Sequence, residues 1–93
     1  MYNQVILIGR ISKLPNQENT ELTLSVPRNF KNADGVYEND IIKCSLGTEI
    51  GKRTLEYCLA GDLVAIKGRV QSDGKSMIIV TEKISFLSQK QNG

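Results

Sequence analysis

Histidine is absent from these 93 residues, and that removes most common catalytic arrangements. Without an imidazole, neither a thiol nor a serine hydroxyl has its usual base beside it. The ten acidic residues are scattered singly, so no acid–base pair stands out. A glycine-rich phosphate loop is missing as well. Gly47-x-x-x-Gly51-Lys52 lacks P-loop spacing and precedes a short helix outside any parallel βαβ unit. No enzymatic activity is expected.

Cysteine is scarce: Cys44 and Cys58 are the only two. A zinc site takes four suitable ligands, which this pair cannot supply. No metal and no cofactor is expected. Long apolar runs are lacking too. The N-terminal MYNQVILIGR holds only four consecutive apolar residues, Val5 to Ile8, too few for a signal peptide or for a membrane span of about 20 residues. The expectation is a cytoplasmic protein whose cysteines are reduced, buried small hydrophobes.

Excess charge of one sign is also missing. Twelve Lys and Arg face ten Asp and Glu, for a net charge of +2, and a dedicated nucleic-acid module is usually more basic. The distribution says more. Residues 1–17 carry Arg10 and Lys13 and no acid, residues 18–40 are net −3, and residues 62–93 are net +2. Any cationic surface must therefore be assembled in space from several strands. A chain of this length makes one domain and buries about 60–65% of its unfolded surface. The expected domain covers residues 1–88, followed by a short polar tail at 89–93.

The most informative stretch present is Leu55 to Val70, LEYCLAGDLVAIKGRV. Leu55, Cys58 and Leu59 have helical spacing, and Ala60-Gly61 is expected to stop the helix with Gly61 in the left-handed C′ position. A strand follows, with Val64, Ile66, Gly68 and Val70 on one face and Leu63, Ala65, Lys67 and Arg69 on the other. Upstream, Asn3 to Ile11 reads as a strand with apolar residues on both faces, so its second face should be covered. Gly9 within it marks a bulge or sharp bend. Leu14 to Asn19 is a loop, and Thr20 to Val26 is the second strand. Asp34-Gly35 is a hairpin signal, and the third strand runs from Tyr37 to Leu46. Thr48 is expected to cap a helix over Glu49 to Leu59. The fourth strand, Asp62 to Gln71, is joined by a tight turn at Ser72 to Lys75 to a long fifth strand, Ser76 to Leu87, bending near Thr81 to Glu82.

Strand, strand, strand, helix, strand, strand is the order of the all-β, five-stranded Greek-key OB-fold barrel, with its helix between the third and fourth strands. SH3-like barrels share the strand count but lack a helix at that point. Barrels of the first kind hold single strands by stacking bases on aromatics and setting phosphates near Lys or Arg. The aromatics here are Tyr2, Phe30, Tyr37, Tyr57 and Phe86. Phe86 is in phase with Val80 and Ile84 and reads as core. Tyr57 reads as a helix-edge residue and Tyr37 as a hairpin support. Phe30, between Arg28-Asn29 and Lys31, is the candidate stacking platform if it is exposed, or a loop residue folded onto the barrel if not. Lys43, Lys67 and Arg69 project outward from their strands.

Taken together, NQVILIGRI, LTLSVPRNFKNADG, LEYCLAGDLVAIKGRVQ and VTEKISFL, in this order, resemble the bacterial single-stranded DNA-binding protein family. The resemblance implies sequence-independent binding of single-stranded DNA in replication, recombination or repair. It also implies assembly through first strands into a homo-dimer or homo-tetramer. The candidate nucleic-acid contacts are then Arg10, Arg28, Phe30, Lys31, Lys43, Lys67, Arg69 and Lys75, and the candidate oligomer interface is Tyr2, Val5, Ile6, Leu7 and Ile8.

Departures from the family pattern matter as well. The family commonly places aromatics where this chain has Ile41 and Gly47, and it carries a long finger where this chain has the turn Ser72 to Lys75. An acid-tipped tail for recruiting other proteins is not expected here. Each stacked base is worth about 1–3 kcal/mol, so losing two or three platforms implies binding weaker by roughly two to five orders of magnitude. Two other readings remain open: a short OB-fold primosomal accessory protein, and an OB module that binds only protein.

Overall fold

A computed structural model describes residues 2–16 and 20–88 of the chain. The expected tail and residues 17–19 of the first loop lie outside the described residues. Six elements follow one another: β1 (Val5–Lys13), β2 (Glu21–Lys31), β3 (Tyr37–Ser45), α1 (Thr48–Tyr57), β4 (Leu63–Ser72) and β5 (Met77–Ser88). The strands form a closed barrel in the order β1-β2-β3-β5-β4. The ring is sealed by a short parallel pairing of Cys44 with Ile79 and Ser45 with Val80. Alternating apolar side chains fill the interior, with Leu22, Leu24, Cys44, Val64 and Ile66 wholly buried. Both cysteines are free and buried, as expected for reduced cysteines acting as small hydrophobes.

No bulge falls at Gly9, where the ladder with β4 is unbroken; glycine is needed there for a close approach instead. β1 pairs with β4 from Val5 to Arg10 and with β2 only from Arg10 onward. A Cβ on Gly9 would collide with the Ser25 carbonyl oxygen, so only glycine lets the strand pass from one neighbour to the other. The register shift itself falls later, between Ile11 and Lys13. Val5 and Leu7 pack against the core, whereas Ile6 and Ile8 are 67% and 52% exposed. The second apolar face of β1 is thus open in the isolated chain.

Several sequence-based expectations are corrected. Gly47 is the helix N-cap, with no side-chain capping bond, and Thr48 is the first helical residue. The helix ends at Tyr57 with Cys58 in an extended conformation. Gly61 does adopt a positive φ of 97°, but in the turn beyond the helix. Its amide donates to the Ile11 carbonyl at 2.7 Å. The buried helix face is Gly51, Thr54 and Cys58, while Leu55 and Leu59 are exposed. Thr54 can be buried because its hydroxyl donates to the Ile50 carbonyl at 2.8 Å.

The bend expected near Thr81 to Glu82 is a bulge. Lys67 faces Lys83 but Gly68 faces Thr81, leaving Glu82 as the extra residue. One inserted residue reverses the inward phase. Ile79 and Thr81 point inward before the bulge, and Ile84 and Phe86 pack toward the core after it. Phe86 is therefore packed as expected but out of phase with Val80. Its ring meets Tyr57 with centroids 6.1 Å apart.

Candidate nucleic-acid interface

Register, not sequence proximity, builds the outer wall. β1 sets Lys13 opposite Thr23 of β2, and Thr23 lies opposite Lys43 of β3. In the neighbouring row Arg10 lies opposite Ser25, and Ser25 opposite Ile41. Strands lie about 4.8 Å apart, so each row spans roughly 10 Å. The two rows bring three exposed cations, two hydroxyls and an exposed aliphatic side chain onto one face. Arg10 spends one of its five N–H donors on the Gly61 carbonyl, with Nη1 to oxygen 3.0 Å. Lys13 belongs to this face, although its single position in a charge-poor segment gave no reason to select it. Only the β1–β2–β3 register reveals it.

An apolar groove adjoins these rows. β3 and β5 pair only around Cys44 and Ser45, and where they splay a groove of about 500 Å³ opens, lined by Ile41, Lys43, Val70, Met77 and Ile79 among others. Ile41 and Met77 are 62% and 74% exposed. Lys43 joins groove and rows, because it also lines the crevice that holds Lys13 and Thr23. Gly47 borders open space, and a Cβ added there would meet no neighbouring atom within 4 Å.

The β2–β3 hairpin carries two exposed rings, Phe30 and Tyr37. β2 runs to Lys31, so Phe30 sits on a strand rather than in a loop. It lies in the stretch between Pro27 and Lys31 where the register with β3 shifts, and it is 61% exposed. Lys31 Nζ stands 5.7 Å from the Tyr37 ring centroid, a cation–π geometry. Arg28 is held by carboxylates. Its Nη2 is 2.9 Å from Asp40 Oδ1, and its Nη1 is 3.4 Å from Glu38 Oε2. The hydrogen bond from Arg28 holds the Asp40 carboxyl below its ordinary range, and Asp40 in turn raises Arg28.

The other expected cations stand elsewhere. Lys67 faces Ile6 of β1 and Lys83 of β5 and borders a hollow shared with Tyr2, Asn3, Gln4 and Glu82. Arg69 donates to Gln71 Oε1 at 3.0 Å. Lys75 lies in the turn between β4 and β5, whose Asp73 Oδ1 accepts the Lys75 and Ser76 amides at 2.9 Å each. These three do not share the face built by Arg10, Lys13 and Lys43. Among the described residues no cluster of His, Cys, Asp or Glu is placed to hold a metal ion, and no helix is long and apolar enough to cross a membrane.

Residues 2–82 match the model of the single-strand binding protein family. A curated relative, single-stranded DNA-binding protein B of Bacillus subtilis, is 40% identical over 79 residues, covering 77% of this chain and 70% of the relative. Among solved structures, the mitochondrial single-stranded DNA binding protein Rim1 of S. cerevisiae superposes with a TM-score of 0.76 at 16% identity, over 97% of this chain and 99% of that one. The PriB protein of Ralstonia solanacearum reaches 0.72 at 12% identity, over 92% and 98%. Shared fold alone thus does not separate these two kinds of protein; the family match and the curated relative both carry the single-strand-binding name.

Proposed function

The chain belongs to the single-strand binding protein family, and from that premise we propose that it binds single-stranded DNA without regard to base sequence, in replication, recombination or repair. The observation that carries the reading is the pair of cross-strand rows on the β1–β2–β3 face. Lys13, Lys43 and Arg10 receive phosphates there, and Thr23 and Ser25 offer hydroxyl donors. Phe30 stacks one base. Ile41 and Met77 give a second base an aliphatic floor in the adjoining groove. With Ile41 where the family commonly has a ring, the backbone supplies most of the affinity, so binding is weak and strongly salt-dependent. No catalytic step is involved, and the protein acts in the cytoplasm. Arg28 and Lys31, on the β2–β3 hairpin, flank this core of the interface, while Lys67, Arg69 and Lys75 lie outside it.

Self-association completes the proposal. β1 has its ladder with β2 only from Arg10 onward, and Tyr2, Ile6 and Ile8 are exposed beside the unladdered part. A second copy covering this strip would bury them, which makes the protein a homo-oligomer. Lys67, across from Ile6, borders that strip. Titrating a labelled dT oligomer by fluorescence anisotropy at low and physiological salt tests the DNA reading; absence of binding even at low salt would sink it.

A further inference from the structure

Arg28 is a cation of the proposed DNA-binding hairpin that is already occupied. Its Nε lies 3.2 Å from both carboxylate oxygens of Asp40, and its Nη2 lies 2.9 Å from Oδ1. Glu38 Oε2 takes Nη1 at 3.4 Å. Glu38 is held in place by Asn32, whose Nδ2 donates to Oε1 at 2.7 Å. Asn32 is fixed in turn, because its Oδ1 accepts the Asp34 and Val36 amides. The whole arrangement is built into the β2–β3 hairpin two residues from Phe30.

A carboxylate gripping the guanidinium fork has the geometry a phosphate would use. We propose that Asp40, supported by Glu38, acts as an internal phosphate mimic that withholds Arg28 and sets how tightly the protein holds single-stranded DNA. The inference rests on the DNA-binding reading above. A phosphate arriving at Arg28 displaces a carboxylate instead of water, and the freed Asp40 then faces the DNA backbone with like charge. Both effects weaken binding. The pair is half exposed, with side-chain exposures of 38% and 48%, so it is a weak bond that phosphate can compete for. Exchange of one anion for another also releases fewer counterions, so Arg28 adds little to the salt dependence while Asp40 is present.

Anisotropy titrations of a labelled dT oligomer test this with the full chain. Asp40→Asn should tighten binding roughly two- to fivefold, the size of one exposed ion pair. It should also steepen the plot of log affinity against log salt by up to about 0.7, the single-strand value per phosphate contact. The gain should vanish in an Arg28→Ala background, and Asp34→Asn, of equal charge change on the same hairpin, should not reproduce it. Glu38→Gln should give a smaller gain of the same sign, and it replaces Asp40→Asn if that variant melts early. Wild-type binding with no gain from either acid variant overturns the mimic and leaves the DNA reading standing. A gain that persists with Arg28→Ala, or that Asp34→Asn matches, overturns it in favour of a general field effect. No binding by wild type or variants at low salt removes both.

Discussion

Cys44 lies at 0% exposure in the barrel core, where burial pushes its thiol up to about 11. The neutral thiol is therefore the form that folding favours. This contribution to stability is complete below the ordinary thiol value of 9.0 and is lost as pH rises toward about 11. Since the thiolate is the nucleophile, Cys44 should resist a thiol reagent at pH 8 in the native protein and react once urea unfolds it. Rapid labelling of both cysteines in native protein would contradict this burial. Phe30 presents the opposite case. Its flanking cations mark it in the sequence, yet its exposure is not legible there, because a ring near a hairpin can fold back as easily as project. Arg28 was legible as a cation but not as a paired one, since its partners Asp40 and Glu38 lie across the hairpin. Side-chain pairing across strands depends on register, and turn signals fix register only loosely.

At the level of elements, order and type were readable and boundaries less so. A short apolar run placed β1, alternation and turn signals placed the other strands, and a helix between β3 and β4 selected the barrel. The helix face went astray because Leu55 and Leu59 are more apolar than the residues that are buried. Gly51 and Thr54 lie inward instead, one for its small size and the other because its hydroxyl is satisfied. The β5 bulge was readable as a bend but not as a change of phase. Gly68, opposite that bulge, gives the clearest stability test. A Cβ there would collide with the Val80 carbonyl oxygen, and backbone cannot swing away as a side-chain end can. Gly68→Ala should cost about 1–3 kcal/mol, the usual range for overpacking. Gly47→Ala, with open space around it but at the helix N-cap, where glycine is preferred to alanine, should cost less, about 0.5–1 kcal/mol. Urea midpoints check both, and a Gly68→Ala variant as stable as wild type would show that β4 and β5 do not approach so closely.

For the whole molecule, a net charge of +2 hides a separation between two surfaces. Arg10, Lys13 and Lys43 gather on the β1–β2–β3 face, while the strip around Tyr2, Ile6 and Ile8 offers apolar area for another copy. Light scattering should therefore give a mass at least twice the 10.3 kDa of one chain, and a monomer at micromolar concentration would overturn self-association. The function class was legible from four segments in order, but the composition of the face was not, since it draws on three strands. The central claim is that this face is where DNA lies. The most direct measurement is the salt dependence of dT-oligomer affinity for the wild type, Lys13→Ala/Lys43→Ala and Lys67→Ala/Arg69→Ala. The first double variant should weaken binding and flatten the log–log slope by about 1.4, near 0.7 per lost phosphate contact, while the second leaves the slope close to wild type. A slope that flattens only when Lys67 and Arg69 are removed would contradict the account and move the DNA onto β4.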